Sequence, residues 1–88
     1  MTWRVLVSGT VQGVGFRAYA AQVAKRLGFE GEVWNRTDGQ VEALVGGDEA
    51  RLNEFLDALR FGPGSVASVE ATPSELAVQP GFKIGPTR

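Results

Sequence analysis

Val11-Gln12-Gly13-Val14-Gly15-Phe16-Arg17 is the stretch on which the reading of this chain turns. It follows an apolar run with strand character, Trp3 to Val7, and opens an apolar-periodic helix near Arg17. Glycines at 9, 13 and 15 leave the connection nearly bare of side chains, so its backbone N–H groups can converge on one point. Such a concave array of amides is a nest for an anion, and the start of the helix adds its positive dipole end. Arg17 sets a planar cation at the rim, suited to gripping two oxygens of a phosphate. A cation in the first helical turn opposes the dipole at a cost of roughly 0.3–1 kcal/mol, which a bound anion would offset. The other reading is a strand–turn–helix junction whose glycines only permit tight packing, with Arg17 solvated. Two better-known phosphate loops do not fit. No Gly-Lys-Ser/Thr follows the glycines, and Gly9, Gly13 and Gly15 miss the G-x-G-x-x-G spacing.

Outward from this loop the elements follow by period. Trp3, Val5 and Val7 alternate with Arg4, Leu6 and Ser8, as in a strand with one buried face. Phe16, Ala20, Val23, Ala24 and Leu27 form one stripe of the first helix, which Gly28 stops. Gly31 to Asn35 and Gln40 to Val45 flank Thr37-Asp38-Gly39, a hairpin signal that leaves Asp38 a backbone role. Val33 and Asn35 share one face of that hairpin with Val41, Ala43 and Val45 inward on the other strand. Asp48 is placed as the cap of a second helix presenting Leu52, Phe55, Leu56 and Leu59, ended by Gly62-Pro63. Val66 to Ala71 reads as a strand interrupted at Thr72-Pro73, and Gly81 to Ile84 as a short returning strand. The order β-α-β-β-α-β predicts an α+β, ferredoxin-like fold, an antiparallel sheet with two helices on one face.

Composition narrows the chemistry. Residues 1–88 are expected to form a single domain, burying about 60–65% of the unfolded surface. No apolar run nears the ~20 residues of a membrane span, and Met-Thr-Trp-Arg is not a secretory start. A cytoplasmic protein is expected, and, with no surplus apolar stripe, a monomer. With no histidine and no cysteine, the commonest general base and the thiolate nucleophile are both missing. Ser8 has no base marked for it and reads as a strand residue; the acidic residues show no metal-site spacing. Catalysis must work by binding and positioning. A net charge of −1 without a basic stripe argues against nucleic acid as a partner. An RNA-binding domain of the same element order would carry aromatics in its central strands, and Val41 to Val45 has none. For Asn35, the residues alone allow a turn-capping role as well as a place where a strand end meets the loop.

The stretch Gly9-Thr10-Val11-Gln12-Gly13-Val14-Gly15-Phe16-Arg17 resembles the first signature of the acylphosphatase family in each defining position. Gly31-Glu32-Val33-Trp34-Asn35, continuing through Gly39, Val41 and Gly47, resembles the second. The resemblance implies hydrolysis of a carboxyl–phosphate anhydride with no cofactor, metal or covalent intermediate. It implies that Arg17 binds the phosphoryl oxygens and Asn35 holds the attacking water, with the Gly9–Gly15 amides completing the cradle. The implied partner is a small-molecule acyl phosphate, with neither nucleic acid nor membrane. A similar domain begins the larger hydrogenase-maturation carbamoyltransferases; within these 88 residues the stand-alone enzyme is the expectation.

Several positions depart from the family's habit. Glu32 stands where an aromatic residue is usual and Trp34 where a basic or polar one is. Both lie opposite Asn35, so altered packing or substrate-edge character is expected, with the reaction kept. Arg36 replaces a threonine or apolar residue and is expected to bear on affinity for anionic substrates. The tail Gly85-Pro86-Thr87-Arg88 lacks an aromatic ending. In some members the terminal carboxylate pairs with the active-site arginine; Pro86 and Arg88 stand against that arrangement here.

Overall fold

A computed structural model describes residues 1–88. The order is β1 (Thr2–Thr10), α1 (Phe16–Arg26), β2 (Glu30–Asn35), β3 (Val41–Gly46), α2 (Leu52–Arg60), β4 (Ser65–Ser74) and β5 (Phe82–Ile84). The strands lie side by side as β4-β1-β3-β2-β5. The first four pair antiparallel, and the helices cover one face, which is the ferredoxin-like arrangement.

Alternation decides which face is covered. Trp3, Val5, Val7, Val33, Val41, Ala43 and Val45 are buried beneath Phe16, Ala20, Val23, Ala24, Phe55 and Leu59 of the helices. Phe29, in the turn after α1, packs between Trp3 and Phe55 with ring centroids 6.5 and 5.3 Å away. Tyr19 joins the two helices, its hydroxyl donating to the Ala58 carbonyl at 2.7 Å. As expected, Asp48 caps: its Oδ1 accepts from the Ala50 amide at 3.0 Å. The residues it caps first form a 3₁₀ turn, Glu49–Arg51, from which α2 continues.

Two expectations need correction at the chain's end. The sheet is mixed, because β5 pairs parallel to β2 through Gly31↔Phe82, Glu32↔Lys83 and Val33↔Ile84. The fourth strand also runs straight through Thr72-Pro73, with Pro73 opposite Trp3. An edge strand has one side free of the ladder, so a residue without N–H is tolerated there.

Candidate active site

The carboxyl end of β1, the amino end of α1 and the carboxyl end of β2 meet on the helix side of the sheet. They enclose a small cleft of about 190 Å³ lined by Val11, Gly13, Gly15, Arg17, Asn35 and Ile84, among others. The loop begins later than the sequence suggested. Gly9 and Thr10 belong to β1 and pair with Val66 and Ser65 of β4, beyond a bulge after Ser8. Gly9 is required by that approach: its φ is 121°, and a Cβ would overlap the Ser65 carbonyl oxygen. The turn proper is Val11–Gly15, where Gly13 and Gly15 take φ of 73° and 83° with open space beside each Cα. A left-handed backbone with nothing packed over it lets a ligand come close to the amides.

Helix α1 starts uncapped. Gly15 occupies the cap position without a side chain to accept a hydrogen bond, and the first turn holds no acidic residue. The orphan amides and the dipole therefore face the cleft uncompensated. Arg17 adds a formal charge. Its Nη1 donates to the Gly85 carbonyl at 3.1 Å, and no carboxylate pairs with it. One carbonyl fixes the guanidinium's orientation and leaves most of its five N–H donors for a ligand.

Asn35 supplies the opposite polarity. It ends β2 on the inward face, is 9% exposed, and its Oδ1 is buried without a hydrogen-bond partner. An unmet buried acceptor costs about 1–3 kcal/mol, so it marks a place where a donor belongs. The turn-capping role is not what this oxygen does. The turn is closed by its own main chain, Arg36 N to Gln40 O at 2.8 Å, and by Asp38 Oδ1 accepting from the Gln40 amide at 3.1 Å.

Gln12 has a function that sequence reasoning missed. Its Nε2 donates to the Arg36 carbonyl at 2.7 Å and to the Gln40 carbonyl at 2.9 Å. The side chain thus ties the anion loop to the neck of the hairpin, beside Asn35. Its place in the loop was readable from sequence; the two carbonyls it meets were not.

Arg36 departs from expectation. Its guanidinium is engaged by Asp38 at 2.8 Å and by Glu42 at 3.2 Å. The Asp38 side chain is the main cause of the upward shift in its pKa, and Arg36 in turn holds the Asp38 carboxyl below its usual range. Arg36 does not line the cleft. Glu32 and Trp34 do lie on the other face, as expected from their alternation with Asn35. A larger cleft of about 460 Å³ lies on that open face, between Trp34, Leu44 and the Leu76–Gln79 segment. It contains neither Arg17 nor Asn35, and its carboxylates, Glu32 and Glu42, are already matched by Arg88 and Arg4. The smaller cleft has the chemistry.

A family model described as acylphosphatase matches residues 3–84. The chain belongs to the acylphosphatase family. An acylphosphatase of Rhodospirillum rubrum is 46% identical over 88 residues, spanning 98% of this chain and 97% of that protein. The crystal structure of the Bacillus subtilis acylphosphatase superposes with a TM-score of 0.86 at 35% identity, covering 96% of this chain and 97% of that one. Full-length HypF, solved in a phosphate- and nucleotide-bound form, matches at 26% identity with a TM-score of 0.84. That match takes in 98% of this chain and 12% of HypF. Acylphosphatases of this length thus share both fold and extent with the chain, and HypF carries the fold as a small part of a larger protein.

Proposed function

We propose that Arg17 and the backbone amides of the loop ending at Gly15 bind the phosphoryl group of an acyl phosphate, and that Asn35 Oδ1 holds the attacking water. The activity class follows from family membership: the protein is an acylphosphatase, which hydrolyses acyl phosphates to a carboxylate and inorganic phosphate. The assignment of roles rests on one observation above the others. An uncompensated cation and an unpartnered buried acceptor line the same small cleft.

The chemistry suits these groups. Phosphoryl transfer runs through a loose transition state, so positioning and electrostatics supply most of the acceleration. The departing carboxylate has a conjugate acid of pKa about 4–5, in the range of side-chain carboxyls, and leaves without a general acid. Water donates a hydrogen bond to Asn35 Oδ1, which keeps no proton, and attacks phosphorus as the P–O bond to the acyl group breaks. Its second proton passes to a phosphoryl oxygen, so no histidine is needed. Arg17 and the loop amides stabilise the equatorial oxygens, as donors do in an oxyanion hole.

The reading extends to a small-molecule substrate, since the cleft takes little beyond a phosphoryl group and its neighbours. The Rhodospirillum rubrum and Bacillus subtilis acylphosphatases match at 46% and 35% identity against 26% for HypF, which favours the acylphosphatase reading over that of a maturation-protein module. No helix is long and apolar enough to cross a membrane. We place the enzyme in the cytoplasm as a monomer, because one chain supplies every group named above and it has no cysteine to staple.

The test is inorganic phosphate release from benzoyl phosphate in EDTA, comparing wild type with Arg17→Ala and Asn35→Ala. Wild type is expected to turn over, and each variant to lose about 10²–10³-fold in kcat, as when one transition-state donor is removed. A folded Asn35→Ala variant with wild-type kcat would remove the water-holding role.

A further inference from the structure

Three departures from family habit, Glu32, Trp34 and Arg88, are far apart in sequence and meet in space. The Arg88 guanidinium lies over the Trp34 ring, 4.1 Å from its centroid, and its Nη2 pairs with Glu32 Oε2 at 2.8 Å. A guanidinium both stacked and paired is held more firmly than by either contact alone. Its main chain is fastened too. The Arg88 amide donates to the Asn35 carbonyl at 2.8 Å, and the Thr37 amide donates to the Arg88 carbonyl at 2.9 Å.

Between this anchor and β5 lies Gly85, the residue whose carbonyl receives Arg17. Gly85 is buried, and its amide donates to the Val33 carbonyl at 2.8 Å. The Glu32 carboxylate sits so close to its Cα that a Cβ would overlap Oε2, with Arg88 Nη2 just beyond it at 3.3 Å. Pro86 follows, without an N–H to continue the ladder to β2, so the tail past Gly85 depends on Arg88 for its next attachment.

We propose that Arg88, seated on Trp34 and Glu32, is a positioning residue for Arg17. It pins the tail from the open face of the sheet so that the Gly85 carbonyl aims the Arg17 guanidinium into the cleft on the other face. Here the departures compensate one another. The inference rests on Arg17 being the phosphoryl-binding group, so one of its measurements must read Arg17 without turnover.

Arg88→Ala and Arg88→Lys are compared with wild type. Nitrogen-resolved NMR of the ligand-free protein follows rotation of the Arg17 guanidinium. Inhibition of benzoyl phosphate hydrolysis by inorganic phosphate gives Ki. In Arg88→Ala, faster Arg17 rotation is expected, with KM and phosphate Ki both raised about three- to tenfold, the scale of one ordinary hydrogen bond. The change in kcat should be smaller, because Asn35 is held by its own place in β2, paired with Val41, and does not depend on the tail. Arg88→Lys keeps the ion pair and loses the flat stack, so Ki should fall between wild type and alanine. A variant no less stable than wild type, with Arg17 rotation and phosphate Ki unchanged, overturns the proposal. So does a loss confined to thermal stability. Altered Arg17 rotation with an unchanged phosphate Ki would instead remove Arg17 from phosphate binding, and with it the reading on which the inference stands.

Discussion

The open face of the sheet and the cleft at the start of α1 use arginine in opposite ways. On the open face Arg4, Arg36 and Arg88 are each matched by a carboxylate: Glu42, then Asp38 with Glu42, then Glu32. On the helix side Arg17 meets only a carbonyl oxygen, beside helix amides that no side chain caps. Paired charges close to solvent contribute little to stability and have little field left for a ligand. A cation met by one carbonyl and otherwise set beside uncapped amides keeps most of its attraction for an anion. The site is marked by missing partners more than by the residues themselves.

Breaking this contrast at its strong end should have the largest effect. Arg17→Ala should raise phosphate Ki and KM on top of its loss in kcat, whereas Asn35→Ala should show its 10²–10³-fold loss in kcat with phosphate Ki near wild type, roughly the cost of one positioned donor or acceptor. Inhibition by inorganic phosphate separates the two. If both variants bound phosphate equally poorly, the division between binding and water positioning would fail.

Next comes the link between loop and hairpin. Gln12→Ala removes both hydrogen bonds from Nε2 and leaves two carbonyls without that donor. A loss of about 1–3 kcal/mol in stability is expected by urea unfolding, about 0.5–1.5 kcal/mol for each bond. A fall in kcat of about tenfold should accompany it, since small misplacements of a positioned group are costly in rate. A stability loss with kcat intact would make Gln12 a fastener only.

The weak end of the contrast predicts small effects. Because Arg36 and the Gln40 amide hold the Asp38 carboxyl below its usual range, Asp38 contributes stability above its unfolded pKa. That contribution is lost as pH falls through the lower, folded value. Asp38→Asn should therefore melt slightly below wild type at neutral pH, with the two curves converging in acid. Arg36→Gln should leave phosphate Ki within about twofold of wild type, as for a half-buried charge already paired outside the cleft. A larger rise would mean that its field reaches the cleft.

How far the sequence reveals this molecule depends on whether the signal is local. The period of Trp3, Val5 and Val7, the stripe from Phe16 to Leu27 and the turn at Asp38-Gly39 report burial and backbone geometry directly, and those elements formed as expected. Pro73 misleads because a missing N–H matters only on a strand's bonded side, and which side that is depends on the order of strands. The parallel pairing of β5 is equally non-local, carried by three residues. Within the site, the loop glycines and Arg17 stood out by residue type and position, and Asn35 through the resemblance to the family's second signature. The restraint on Arg36 was partly visible, since Asp38 stands two residues away and Glu42 diagonally across the hairpin. The seat of Arg88 on Trp34 was not, because it needs the tail folded back along β2.

The end of β1 adds a consequence in time. Gly9 and Thr10, which lead into the anion loop, are secured by Val66 and Ser65, after both helices have been passed in the chain. Pairings of such separation must close a long loop before they stabilise anything, and they slow folding relative to local contacts. One shoulder of the cradle is therefore fastened only when distant parts of the chain have found each other. A refolding molecule should regain helical signal before it regains catalysis, so the return of turnover works as a clock for the completed sheet.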